Sequence, residues 1–151
     1  MGDIISRLEL KWRKKMKINK DIKHLTKKCV VVEGIEWRSL KKSLHIAMIM
    51  RKDAIGIASN QLGMNYNAFV IRHKNKLMFF KNPSIKCYGE KFTHEERCLS
   101  LSGEYKVQRY TKVDITDDIN GKQRFEGYMA CVIQHEFDHI NGILIKNKEV
   151  K

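Results

Sequence analysis

Hydrophobic positions change their period twice along this chain. Between Ser39 and about Lys52, Leu40, Leu44, Ala47 and Met48 recur at helical spacing, which predicts an amphipathic helix with Ser39 placed to cap its first turn. The middle reads differently. "AFVIRHKNKLMFF", from Ala68, sets two apolar runs around a polar His-Lys-Asn-Lys turn, and "KVDITDDINGKQRF", from Lys112, alternates Val113 and Ile115 before an Asn120-Gly121 turn signal. Both predict antiparallel hairpins. Helical spacing then returns: Tyr128, Cys131, Val132, His135 and His139 fall on one stripe of a helix from about Glu126 to Ile140, with the histidines on its core-facing side. The expected fold class is α+β, with antiparallel strands packed around this C-terminal helix and a further helix toward the N-terminus.

With 151 residues, 42% of them hydrophobic, and Pro83 as its one proline, the chain has the size of one ordinary domain and no linker-like run to divide it. Residues 1–151 are therefore read as a single domain with a basic segment at about 1–30. No apolar run approaches the roughly 18 residues of a membrane span, and MGDIISRLELKWRKK lacks the order of a signal peptide, so an intracellular protein without a membrane partner is expected. Four widely separated cysteines without a CxxC pair predict free thiols. The net charge of +13 attracts polyanions. Much of it lies early, with ten Lys and Arg against three acids in residues 1–28. No aromatic-rich RNA-binding motif accompanies it, which leaves attraction to a ribonucleoprotein surface but no sequence-specific nucleic-acid recognition.

The chemistry concentrates in "ACVIQHEFDHING". His135 and His139, one helical turn apart, can meet one metal ion, and Glu136 projects beside them to handle the proton of an activated water. Two hydrogen-bonded core histidines would leave the same pattern. A catalytic centre needs a third protein ligand. The position that supplies a third histidine in HExxHxxGxxH peptidases is Ile145, although Gly142 matches, and Glu149 is the remaining carboxylate downstream. Upstream, His24, His45 and His73 stand in basic or helical surroundings, whereas Cys98 lies between charged residues and a short apolar segment in "EERCLSLSG".

Together "AIGIASNQLG", "ERCLS" and "QHEFDHINGIL" resemble the three motifs of peptide deformylases, in order and approximate spacing, over about residues 36 to 146. The resemblance implies a metal-dependent hydrolase that removes the formyl group from N-formylmethionine on nascent peptides and releases formate. It assigns Cys98, His135 and His139 to one divalent ion and Glu136 to acid/base work. Gln61 and the backbone N–H of Leu99 become oxyanion donors. Gly56 is implied to touch the peptide backbone, and Ile55, Tyr128, Cys131 and Val132 to lie near the methionine pocket. Iron(II) is the favoured metal, and a thiolate with two imidazoles also suits zinc, nickel or cobalt. Glu96 is expected to pair with Arg109, and Asp138 to bond near a ligand histidine. Ala54, Ser59, Arg97 and Ile140 stand where the family prefers glycine, alanine, glycine and leucine; Arg97 is the largest departure, a long cation beside Cys98. Little chain follows the catalytic helix, as in minimal viral or organelle-related members, so the expected location is the cytoplasm, a host cytoplasm or an organelle. Expected partners are N-formylmethionyl peptides and, through the basic surface, the ribosome. Two other readings stay open here: an HExxH metallopeptidase using Glu149 or another late ligand, and a basic RNA- or ribosome-binding protein with a structural metal.

Overall fold

A computed structural model describes residues 16–151, so Lys14, Lys15 and the rest of residues 1–15 lie outside the described residues. A single helical turn, Ile22–Leu25, is opened by Asp21, whose side chain accepts from the Lys23 N–H at 3.0 Å. Helix α1, Gly34–Ile49, leads to strands β1 (Gly56–Ala58), β2 (Ala68–His73) and β3 (Lys76–Lys81), an antiparallel sheet in that order. Strands β4 (Ser84–Glu96), β5 (Tyr105–Asp117) and β6 (Gly121–Glu126) form a second antiparallel sheet before helix α2, Tyr128–Ile140. Short 3-10 turns follow β1 at Ser59–Leu62 and α2 at Ile145–Asn147. The α+β expectation holds.

Strand β2 explains how the layers meet. Successive side chains of a strand point to opposite faces, so Phe69 and Ile71 join one core cluster with Ile133 and Ile140 of α2, while Ala68 and Val70 join another with Leu40, Leu44 and Met48 of α1. The first sheet thus lies between the two helices. Each fully buried large side chain here contributes about 1.5 to 3 kcal/mol. The hairpin read at His-Lys-Asn-Lys is present: β2 and β3 pair from Ala68 with Lys81 to His73 with Lys76, and Lys74 and Asn75 both take positive φ, 49° and 61°, the conformation of a two-residue type I′ turn.

Three sequence readings need correction. Helix α1 starts at Gly34, so Ser39 is interior and caps nothing; Trp37, three residues before Leu40, packs on the same cluster and extends the helix upstream. Helix α2 starts at Tyr128 because Glu126 still pairs with Lys112 in the sheet and Gly127, at φ 63° and ψ −133°, makes the turn from strand to helix. Tyr128 itself is 63% exposed and is not a core-facing member of the stripe.

Candidate metal centre

Three separate segments bring the donor atoms together. Helix α2 supplies His135 and His139, the turn after β4 supplies Cys98, and the 3-10 turn after β1 supplies Gln61. Cys98 Sγ lies 3.3 Å from His139 Nε2, and the two histidine Nε2 atoms lie 3.2 Å apart; one atom from each of the three residues falls within 4.8 Å of the others. A tetrahedral ion with metal–nitrogen bonds of about 2.0 Å and a metal–sulfur bond of about 2.3 Å separates its ligand atoms by about 3.3 Å (N to N) and 3.5 Å (S to N). The donor set therefore fits such an ion with little adjustment.

The segments are tied to one another. The Ala58 N–H donates to Gln61 Oε1 at 3.0 Å, which turns the Gln61 amide nitrogen toward Ser100 Oγ, 3.3 Å, and Cys98 Sγ, 3.6 Å. The Ser100 N–H also reaches that sulfur, at 3.4 Å, and the Leu101 N–H donates to the Cys98 carbonyl, closing a turn with Leu99 inside it. Asn60 donates its side-chain N–H to the His139 carbonyl at 2.6 Å, fastening this turn to α2. The "SNQ" and "CLS" runs carried Asn60 and Ser100 in plain view, but only the folded geometry reveals what they bond.

Behind His135 the expected Glu96–Arg109 pair is present and buried. Arg109 donates from Nε and Nη2 to the two Glu96 oxygens, both at 2.8 Å, and His135 Nδ1 faces Glu96 Oε1 at 2.8 Å. Asp138 meets Arg109 Nη1 at 2.5 Å rather than an imidazole. Burial alone would raise the Glu96 carboxyl, but the hydrogen bonds from Arg109 and His135 outweigh it and hold the group well below the usual carboxylate range. Burial lowers both imidazoles, with different outcomes. His139 stays neutral, helped by the neighbouring His135 charge. Hydrogen bonds with Cys98 and Glu96 instead lift His135 to about 10, so binding an ion there displaces a proton.

Glu136 lines the same cavity of about 840 Å³, and its Oε2 is buried without a hydrogen-bond partner among the described residues. Burial pushes its carboxyl up to about 7, against the opposing pull of the His135 charge, which suits a group that takes and returns a proton near neutrality. Gly56 lets β1 pass this carboxylate closely: a Cβ there would lie 2.8 Å from Glu136 Oε1. Ile55, Gly56, Gln61, Leu99, Tyr128, Cys131 and Val132 all line the cavity. Cys131 is buried, which raises its thiol to about 11, whereas Leu99 and Tyr128 are exposed at the mouth. Arg97 turns outward and pairs with Glu104, its Nε 2.6 Å from Oε1. Exposed Asp53, Glu95 and Glu104 give this opening an acidic rim in a basic chain. Glu149 is placed elsewhere, in a bridge with Val107 of β5.

The polypeptide deformylase family model matches residues 15–151. Peptide deformylase 1 of Clostridium perfringens is 36% identical over 135 residues, covering 83% of this chain and 91% of that relative. The peptide deformylase of Clostridium beijerinckii is 38% identical over 95 residues, 60% of this chain and 70% of that relative. The crystal structure of peptide deformylase from Thermotoga maritima matches with a TM-score of 0.77 at 28% identity, covering 90% of this chain and 97% of the other. That of Synechococcus elongatus, in complex with actinonin, matches with a TM-score of 0.78 at 28% identity, covering 91% and 81%.

Proposed function

The chain belongs to the polypeptide deformylase family, and within that family we propose that Cys98, His135 and His139 hold the catalytic ion while Glu136 carries the proton. Its activity is the metal-dependent hydrolysis that removes the formyl group from N-terminal formylmethionine. The observation that carries the residue assignment is the convergence of three soft and nitrogen donors on one point beside an unpartnered, buried carboxylate oxygen.

A divalent ion held there supplies Lewis acidity that acidifies water and polarises the formyl carbonyl. Glu136, whose buried oxygen lies in the same cavity, takes the proton of the attacking water and returns it to the departing peptide nitrogen, so the peptide leaves as a free amine and the formyl group as formate. The Gln61 amide, held by the Ala58 N–H, and the Leu99 N–H face the negative oxygen that develops on the formyl carbon. Removing one such donor commonly costs about 10²- to 10³-fold in rate. Ile55, Cys131 and Val132 form the apolar wall that receives the methionine side chain, with Tyr128 at its mouth and the Gly56 backbone beside the peptide.

The ion we propose is iron(II), with zinc, nickel or cobalt able to use the same thiolate and imidazoles. Anaerobic purification, metal analysis and formate release from a formyl-methionyl peptide test this; full turnover by a metal-free protein would overturn it. We further propose that the chain acts as one unit in the cytoplasm, where its +13 charge draws it to the ribosome. No helix among the described residues is long and apolar enough to cross a membrane. Ribosome co-sedimentation should then fall steeply with salt and with glutamate at Lys14, Lys15 and Lys17, hydrolysis of a short peptide staying unchanged. Salt-insensitive or absent co-sedimentation removes the ribosome proposal alone.

A further inference from the structure

A row of alternating charges runs outward from the metal centre and ends on the segment after α2. His135 Nδ1 faces Glu96, Glu96 is gripped by Arg109, and the remaining Arg109 nitrogen, Nη1, meets Asp138. Lys148 closes the row, its Nζ 3.0 Å from Asp138 Oδ2 and 3.2 Å from Oδ1. Arg109 is 1% exposed, and the carboxylates of Glu96 and Asp138 are both buried. Glu96 also faces His135 Nδ1 at 2.8 Å and His94 Nε2 at 2.7 Å, whereas Asp138 holds only one nitrogen of the shared guanidinium, and a buried carboxylate with so little compensation is costly in a medium that screens poorly. Lys148 supplies the second cation.

The segment that carries Lys148 is fixed rather than free to wander. Ile145 is buried in a cluster with Cys98 and Val107, Glu149 bridges Val107 of β5, and the Val150 N–H donates to the Lys106 carbonyl at 2.8 Å. Arg109 stands two residues farther along that same strand. The ammonium is therefore delivered to Asp138 by backbone pairing to the strand that delivers the guanidinium.

We infer that Lys148 is a positioning residue for the metal centre, acting through Asp138, Arg109 and Glu96 on the ring of His135. With Lys148 in place, Asp138 needs only one bond from Arg109, and the guanidinium keeps both Nε and Nη2 on Glu96. Glu96 then accepts squarely from His135 Nδ1, which fixes the tautomer that presents Nε2 as a ligand. Without Lys148 the full charge of Asp138 draws the guanidinium away from Glu96, and the His135 ring loses its stop. This inference rests on the assignment of His135 as a metal ligand.

The test uses cobalt(II) as the probe, loaded into the whole protein and challenged with excess chelator while its visible spectrum is followed. Loss of the ion from Lys148→Met should be about three- to tenfold faster than from the parent, below the ten- to hundredfold typical of a partner that touches the ligand directly. Lys148→Arg should restore the parent rate. Lys146→Met, in the 3-10 turn that precedes Lys148, should match the parent. A merely structural role would lower the melting temperature of the metal-free protein yet leave the release rate and spectrum of the folded, loaded protein unchanged, and that result overturns the inference. Failure of Lys148→Arg to restore the rate overturns it as well. A parent protein that binds no cobalt would instead sink the ligand assignment beneath it.

Discussion

Replacing Gly56 with alanine adds one methyl group where the described structure has no room for it. The new Cβ would lie 2.8 Å from Glu136 Oε1 and 3.0 Å from both its Cδ and Cγ, whereas ordinary contact starts at 3.4 Å. Strand or carboxylate must therefore retreat by about 0.4 to 0.6 Å, and forced repacking of this kind typically costs about 1 to 3 kcal/mol of stability. Backbone strain adds nothing, since Gly56 is not among the residues with positive φ. A misplacement of about 1 Å in a catalytic group costs about 10²-fold, so a shift of half that size should lower kcat about tenfold, or about 1.4 kcal/mol of barrier. The three donors proposed for the ion are untouched and should hold it. Steady-state formate release, metal analysis and urea unfolding on the purified variant read the three quantities separately. An unchanged kcat with a raised KM would refute the reasoning, because the missing side chain would then serve the peptide and not Glu136.

Further outcomes follow from the same geometry. Cys98→Ala should lose metal and activity together while Cys29→Ala and Cys87→Ala keep both, and full metal occupancy in Cys98→Ala would remove this ligand from the set. Glu136→Ala should keep its metal and lose about 10²- to 10⁴-fold in turnover; loss of metal in step would make Glu136 a ligand. In the metal-free protein, burial raises Glu136 from 4.5 to about 7, so the unfolded chain ionises at lower pH than the native one and stability falls across that window. Glu136→Gln should flatten this fall by up to about 3 kcal/mol, at about 1.36 kcal/mol per pH unit, in urea titrations, and an unchanged slope would count against the buried carboxyl. Arg109→Met strands two buried carboxylates and should cost about 3 to 5 kcal/mol, a loss that urea unfolding detects directly.

Much of the candidate site was legible in one dimension because its residues sit in short runs. His135 and His139 share one helix face with Glu136 beside them, and Cys98 and Gln61 sit in motifs whose order alone carries the resemblance. The hairpin at Lys74 and Asn75 was legible for a similar reason, since polar residues between apolar runs mark a turn. Strand β4 was not. "SIKCYGEKFTHEE" is largely polar, shows no steady alternation, and carries a register shift between Tyr88 and Lys91. There Gly89 takes φ +83°, and a Cβ would collide with Thr111 Oγ1. Pairing with β5, not its own pattern, makes this segment a strand. The beginning of α1 was misread because Ser39 resembles a cap, although Trp37 continues the packed face beyond it. Asp138 was expected to bond structure near one of the histidines, and it does so through Arg109, a partner that shows only once β5 lies opposite.

The acidic rim around the cavity has an orientational consequence. Asp53 and Glu95 stand at the mouth, where Arg97 offsets Glu104, in a molecule whose net charge is +13, so charge is separated across the molecule and a nonuniform field exerts a torque on it. On the proposal that phosphates attract this chain, the mouth would be the side they attract least. Held on such a wall, the molecule would keep its cavity turned toward solution, free to meet a peptide end.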